Sequence, residues 1–144
     1  MRAVALDLGS RRIGVAVCDA GGILASPRTT LQRSKDRPRQ HREIAALVAE
    51  EEAGIVVVGL PLSLDGSVGP AAEAVLAEVG ELAAVLPVPV VTHDERFTTV
   101  TAHEQLRAAG VDGRRRATVV DQQAATVLLQ SWLDSNRRQE PPPA

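Results

Sequence analysis

The feature that most limits what this chain can fold into lies at its start. Val4-Ala5-Leu6-Asp7-Leu8 is an apolar run with a single carboxylate near its end, followed by a Gly9-Ser10 turn and a second apolar run, Ile13-Gly14-Val15-Ala16-Val17. Apolar residues at consecutive rather than alternate positions fit a strand covered on both faces. A carboxylate in such a strand is costly unless a cation, a hydrogen-bond network or a metal meets it. The plainer alternative is an Asp at the strand's exit, bonding the turn backbone. What the rest of the chain brings to Asp7 decides between them.

At 144 residues the chain suits one domain with a substantial core. With one Phe, one Trp and no Tyr, that core has to be aliphatic. The formal charge of -2 predicts no nucleic-acid partner by itself, so any such binding must rest on local basic patches. Cys18 is the single cysteine, which excludes an intrachain disulfide and fits a reducing compartment. The chain opens directly on a strand without a signal-peptide pattern, and no apolar run is long enough to cross a bilayer. The expectation is a soluble cytoplasmic protein.

Strands are expected at residues 2–8, 12–19 and 23–31, joined by short turns into an antiparallel meander. Residues 32–40 are polar, contain Pro38 and carry Arg33, Lys35, Arg37 and Arg39; they read as a solvated loop, although such cations could meet phosphates. Residues 41–53 form an amphipathic helix with Ile44, Leu47 and Val48 on one face. A buried strand follows at 55–58, then Gly59-Leu60-Pro61 and a loop with an Asp65-Gly66 turn. A second helix spans 70–86 with Pro70 in its first turn, and a strand spans 88–92, where Pro89 marks an edge or a strand's start. Further helices are expected at 100–109, with Thr101 and Glu104 as a capping box, and at 119–133, after a basic loop over 111–116. Residues 1–135 make the domain, and 136–144, with three prolines, a disordered tail. The order predicts an α/β fold: a mixed five-stranded sheet, three strands antiparallel and two added in parallel, flanked by helices.

Sites in such sheets lie beyond the carboxyl ends of the parallel strands. Asp7, Gly59-Leu60-Pro61 and Asp94-Glu95 all sit at such ends. On the last helix, Asp121, Ala124, Ala125 and Leu128 share a face, so Asp121 points inward with Leu128. Asp121 could instead serve only as a favourable charge at the helix start, beside Thr118. If Asp7, Asp94, Glu95 and Asp121 converge, their repulsion calls for a counter-ion. Oxygen donors suit Mg²⁺ or Mn²⁺, and two such ions can clamp the attacking and leaving oxygens of a phosphodiester displacement. No His/Cys spacing suggests zinc. His93 reads as a strand-end residue, and His41 and His103 as surface helix positions.

These residues carry a resemblance. Asp7-Leu8-Gly9-Ser10-Arg11-Arg12-Ile13-Gly14-Val15-Ala16, Gly59-Leu60-Pro61 with Asp65-Gly66, Asp94-Glu95-Arg96-Phe97-Thr98-Thr99 and Asp121-Gln122-Gln123-Ala124-Ala125 are similar, in order, to the four signatures of the YqgF/RuvX family. The resemblance covers residues 1 to about 134 and implies a ribonuclease H-like fold. It implies a nuclease, linked in that family to maturation of the 5′ end of pre-16S rRNA or, alternatively, to resolution of Holliday junctions. By the same resemblance Asp7, Glu95 and Asp121 would be the metal-binding catalytic acids, and Asp94 an accessory that could exchange roles with Glu95. Arg12 and Arg96 would face the scissile phosphate or brace the carboxylates. Cys18 stands where the family usually has Ser, which leaves the site assignments intact.

Arg114, Arg115 and Arg116 lie just before Asp121, and three adjacent guanidiniums there could hold a nucleic-acid backbone. Little aromatic surface exists for stacking bases, so recognition would rest on shape and charge. The favoured expectation is a metal-dependent endonuclease of the rRNA type, with a junction resolvase as the alternative. A non-catalytic RNA- or protein-binding factor is a further reading. Asp-x-Gly-Ser also resembles the phosphate-binding hairpin of the actin/sugar-kinase superfamily, but the chain is too short for the two domains those proteins use. A single-cut enzyme can be a monomer; a resolvase needs a homodimer.

Overall fold

The computed structural model describes residues 1–96 and 113–139, with the side chains of 113–118 and 137–139 outside that set. In chain order the elements are β1 (Ala3–Leu8), β2 (Arg12–Cys18), β3 (Ala25–Gln32), α1 (Arg37–Glu50), β4 (Ile55–Leu60), α2 (Pro70–Val85), β5 (Val90–Asp94) and α3 (Gly113–Gln139). The sheet runs β3-β2-β1-β4-β5. β1 pairs antiparallel with β2, as β2 does with β3, and β4 adds parallel to β1 and β5 to β4. This is the mixed α/β sheet expected from the order of apolar runs.

Strand alternation gives the sheet two unlike faces. Val4 and Leu6 of β1, Ile13 and Val15 of β2 and Val56 and Val58 of β4 pack with Ile44, Leu47, Val75 and Leu82 from α1 and α2. The other face carries small residues, Ala3, Ala5, Ala16 and Cys18 with Val57, under Ala125, Leu128 and Leu129 of α3. Small side chains there allow α3 to lie close to the strands. Cys18 is buried, and its sulfur accepts the Ala3 N–H at 3.1 Å.

Several boundaries differ from expectation for identifiable reasons. The stretch over 32–40 is not all loop: α1 starts at Arg37, where Asp36 caps it by accepting the Arg39 N–H at 3.1 Å and Pro38 occupies the first turn. The third strand starts at Ala25, leaving Ile23 and Leu24 exposed beyond it. The basic stretch before Asp121 is helical, because α3 already begins at Gly113. At the other end α3 continues to Gln139, past the expected domain end, while 140–144 lie outside the described residues. The helix expected at 100–109, with Thr101, His103 and Glu104, lies outside them too.

His41 is not a surface residue. The earlier start of α1 places Gln40 and His41 on the same stripe as Ile44, Leu47 and Val48, and all are buried. His41 Nε2 meets Glu78 of α2 at 2.8 Å, and the same carboxylate accepts two bonds from Arg33 at 2.7 and 2.8 Å. Burial alone would push the Glu78 carboxyl up, but the bonds from Arg33 and His41 outweigh it and hold it below the usual range. Removing one partner of a buried ion pair strands the others, so Glu78→Ala is expected to cost about 3 kcal/mol or more, read as a lower urea midpoint at pH 7.

Candidate nuclease site

Asp7 sits near the end of β1, on the face covered by α3. Its partner on β2 is Gly14. On β4, Gly59 follows Val58, the partner of Leu6, and so continues the parallel register beside Asp7. Each glycine makes room for another part of the site. A Cβ on Gly14 would overlap the backbone carbonyl of Asp121, so its absence lets α3 descend beside Asp7. A Cβ on Gly59 would overlap the Glu95 carboxylate, so its absence lets Glu95 reach back over β4. Glycine inside an otherwise β-branched strand is a recognised sign of such close approach.

Three carboxylates thereby meet. Asp7 and Glu95 hydrogen-bond to one another through their side chains, and Asp121 lies near enough to act on Asp7 by charge. Burial, then the charge of Asp121, push the Asp7 carboxyl from 3.8 up to about 6, against the lowering effect of its bond to Glu95. Burial, then the charge of Asp7 and the bond to it, push Glu95 from 4.5 up to about 7. With both carboxyls raised and bonded to one another, the pair retains a shared proton to a higher pH than either group alone. Asp121 is braced from β2, where Arg12 Nε donates to its Oδ2 at 2.5 Å.

Asp94 does not join this group. Its carboxylate is taken by Arg96, with Nε and a terminal nitrogen at 2.7 and 2.6 Å, and it also accepts the Arg96 N–H at 3.0 Å. Arg96 holds Asp94 below the usual carboxylate range. The same guanidinium reaches the Leu64 carbonyl at 3.2 Å, tying the loop after β4 to the end of β5. Arg12 and Arg96 thus both bind carboxylates. His93 turns to α3, its Nε2 3.0 Å from Ser131 Oγ, and burial lowers its pKa. The side chains of Arg114, Arg115 and Arg116 lie outside the described residues, although their backbone forms the start of α3.

Among the described residues no three metal-type side chains stand ready-arranged as a cation cage. The donor chemistry nonetheless fits a hard divalent ion. All three groups offer oxygen, two are raised by burial and then by neighbouring carboxylate charge, and a cation would take the place of the shared proton. Sequence reading placed Gly59 at a strand end and Gly14 within the first signature but did not see the room that each makes, nor the buried Arg33–Glu78–His41 cluster. The two glycines carried a usable signal, each interrupting an apolar strand at the edge that bears Asp7.

The chain matches the family model described as RuvX, Holliday junction resolvase, over residues 1–135. A relative from Streptomyces coelicolor is 50% identical over 143 residues, 99% of this chain and 85% of its own length. One from Mycobacterium sp. (strain KMS) is 47% identical over 137 residues, 94% of this chain and 81% of its own length. Both bear the name "Putative pre-16S rRNA nuclease". Among solved structures, T. thermophilus RuvC in complex with a Holliday junction substrate superposes with a TM-score of 0.58 at 16% identity, over 95% of this chain and 96% of that one. That likeness establishes a RuvC-like, ribonuclease H-like fold. With the family's signatures in order, its fold beneath them and relatives of about half-identical sequence along nearly its whole length, this chain belongs to the RuvX family.

Proposed function

We propose that this protein is a divalent-metal-dependent endonuclease that hydrolyses phosphodiester bonds, and that its substrate is the 5′ end of pre-16S rRNA. The observation that carries this is the meeting of Asp7, Glu95 and Asp121, drawn from β1, the segment after β5 and α3, at one end of the sheet. The names of the relatives support the choice of RNA. Asp7, Glu95 and Asp121 would hold Mg²⁺ or Mn²⁺, as a pair of ions. Such ions, when bound, stabilise charge on the attacking and leaving oxygens of a phosphodiester.

The chain's own residues prepare that step. Release to solvent of the proton shared by Asp7 and Glu95 leaves both presenting ionised oxygens. Arg12 orients Asp121 and keeps a guanidinium beside the phosphate's approach. Gly14 and Gly59, both buried, leave room for the Asp121 backbone and the Glu95 carboxylate to close on Asp7. Asp94 acts through Arg96, which fixes the segment bearing Glu95 to the loop at Leu64. Arg114, Arg115 and Arg116 would hold the nucleic-acid backbone leading to the site. The protein would work in the cytoplasm, where pre-rRNA is matured; among its described residues no helix is long and apolar enough to cross a membrane. One cut requires one site, so a monomer suffices.

The family description favours a second reading, resolution of branched DNA, for which a homodimer would supply two sites. Purified protein assayed in parallel on a pre-16S leader and a synthetic four-way junction separates the two. Cleavage of the leader with Mg²⁺ or Mn²⁺, abolished by EDTA, is expected. Paired symmetric cuts in the junction alone would select the resolvase, and chelator-insensitive RNA binding without any cleavage would leave a non-catalytic factor.

A further inference from the structure

On the side of the sheet opposite Asp7, the ends of β1 and β4 open into a cavity of about 490 Å³. Gly9 and Ser10, two and three residues past Asp7, line it. Leu8, Pro61, Ala74 and Val75 give it an apolar floor, and Ser10, Lys35 and Arg37 lie along its border. Its volume falls within the ~300–1,000 Å³ typical of small-ligand sites.

The charges are arranged to favour an anion. Glu78 is the acid that lines the cavity, and it is neutralised from within by Arg33 and bonded by His41. Arg33 also donates from Nε to the Gly9 carbonyl at 2.8 Å, so the buried cluster fixes the turn that follows Asp7 and lines the cavity. Arg37 feels the charge of Glu78 and makes an exposed pair with Glu81 at 3.0 Å, a contact that phosphate can replace at little cost. Lys35 is exposed and forms no ion pair among the described residues. The border therefore offers two available cations over an apolar floor, at the same sheet end as the three acids.

We propose that this cavity receives a nucleotide of the substrate strand next to the bond being cut, its phosphate on Lys35 and Arg37 and its sugar or base on Leu8, Ala74 and Val75. This rests on the nuclease reading and adds where the strand goes after leaving the carboxylates. The contact needs no aromatic stacking, which suits a chain with so few aromatic residues.

The test measures binding of a short fluorescent RNA from the pre-16S leader, and the same sequence as DNA, by anisotropy across a salt series. Asp7→Asn protein keeps the strand intact. Lys35→Ala is expected to weaken binding about 3- to 10-fold and to lower the slope of log K against log salt by about one. Ala74→Trp, which fills the cavity, should weaken binding as much. Arg42→Ala, an exposed site on α1 that does not line the cavity, should change neither affinity nor slope. Parent-like affinity and slope in both cavity variants would overturn the proposal while leaving the nuclease reading standing. An equal loss in Arg42→Ala would also overturn it, showing diffuse charge rather than a site. Failure of the parent to bind either strand would remove both readings together.

Discussion

Asp7→Asn should make the metal-free protein more stable at pH 8 and, at the same time, inactive. Asp7 and Glu95 both have folded-state pKa values raised above the ordinary 3.8 and 4.5, to about 6 and about 7. In the folded protein they therefore hold protons that the unfolded chain has already lost. A raised carboxyl contributes stability below its unfolded pKa, and that contribution is lost as pH rises through the folded value. The wild-type protein in EDTA should accordingly lose stability between about pH 4 and pH 7, by about 2–3 kcal/mol for the linked pair. Asparagine removes one charge and donates to Glu95 from its amide, so the pH 8 deficit should largely vanish. Thermal denaturation of the two proteins at pH 5 and pH 8 checks this. Equal melting temperatures at pH 8 would mean that burial and the neighbouring charges do not strain Asp7 as its placement requires.

The two glycines beside Asp7 should fail in different ways. A methyl group on Gly14 meets the backbone of α3 at Asp121, and backbone cannot rotate aside as a side chain can. Gly14→Ala should therefore lift α3 off the small-residue face that Ala3, Ala5 and Ala16 provide, costing about 3 kcal/mol or more. A methyl group on Gly59 meets chiefly the end of the Glu95 side chain, with Leu128 Cδ2 at 3.1 Å behind it. Glu95 can swing away and the fold survive. Gly59→Ala is expected to cost about 1 kcal/mol in stability but about 100-fold in cleavage rate, because catalysis tolerates little misplacement of a reacting group. Urea denaturation set beside single-turnover cleavage separates the two outcomes. Loss of activity in Gly59→Ala only in proportion to unfolding would show that Glu95 needs no such clearance.

The sheet was legible because its apolar runs are short, β-branched and punctuated by turns, and the face of α3 that bears Asp121 was legible from helical spacing. The start of α1 was obscured by Pro38 and four cations, which read as loop until Asp36 is seen capping the helix. His41 was misread for the same reason, since the buried stripe of α1 became visible only with the helix's true start. Asp94 and Glu95 are adjacent in sequence and chemically alike. Which one turns to Asp7 depends on Arg96 claiming the first and on Gly59 admitting the second, and neither preference is local. The Arg33–Glu78–His41 cluster joins three separate segments, and no spacing along the chain announces such a contact.

The most direct test of a shared three-carboxylate site is single-turnover cleavage of a pre-16S leader in Mn²⁺ by Asp7→Asn, Glu95→Gln, Asp121→Asn and the Asp7→Asn/Glu95→Gln double variant. Residues that hold one metal centre act as a unit, so each single change should lower the rate at least about 1,000-fold and the double variant little further. A wild-type rate in any one of the three single variants would contradict the site.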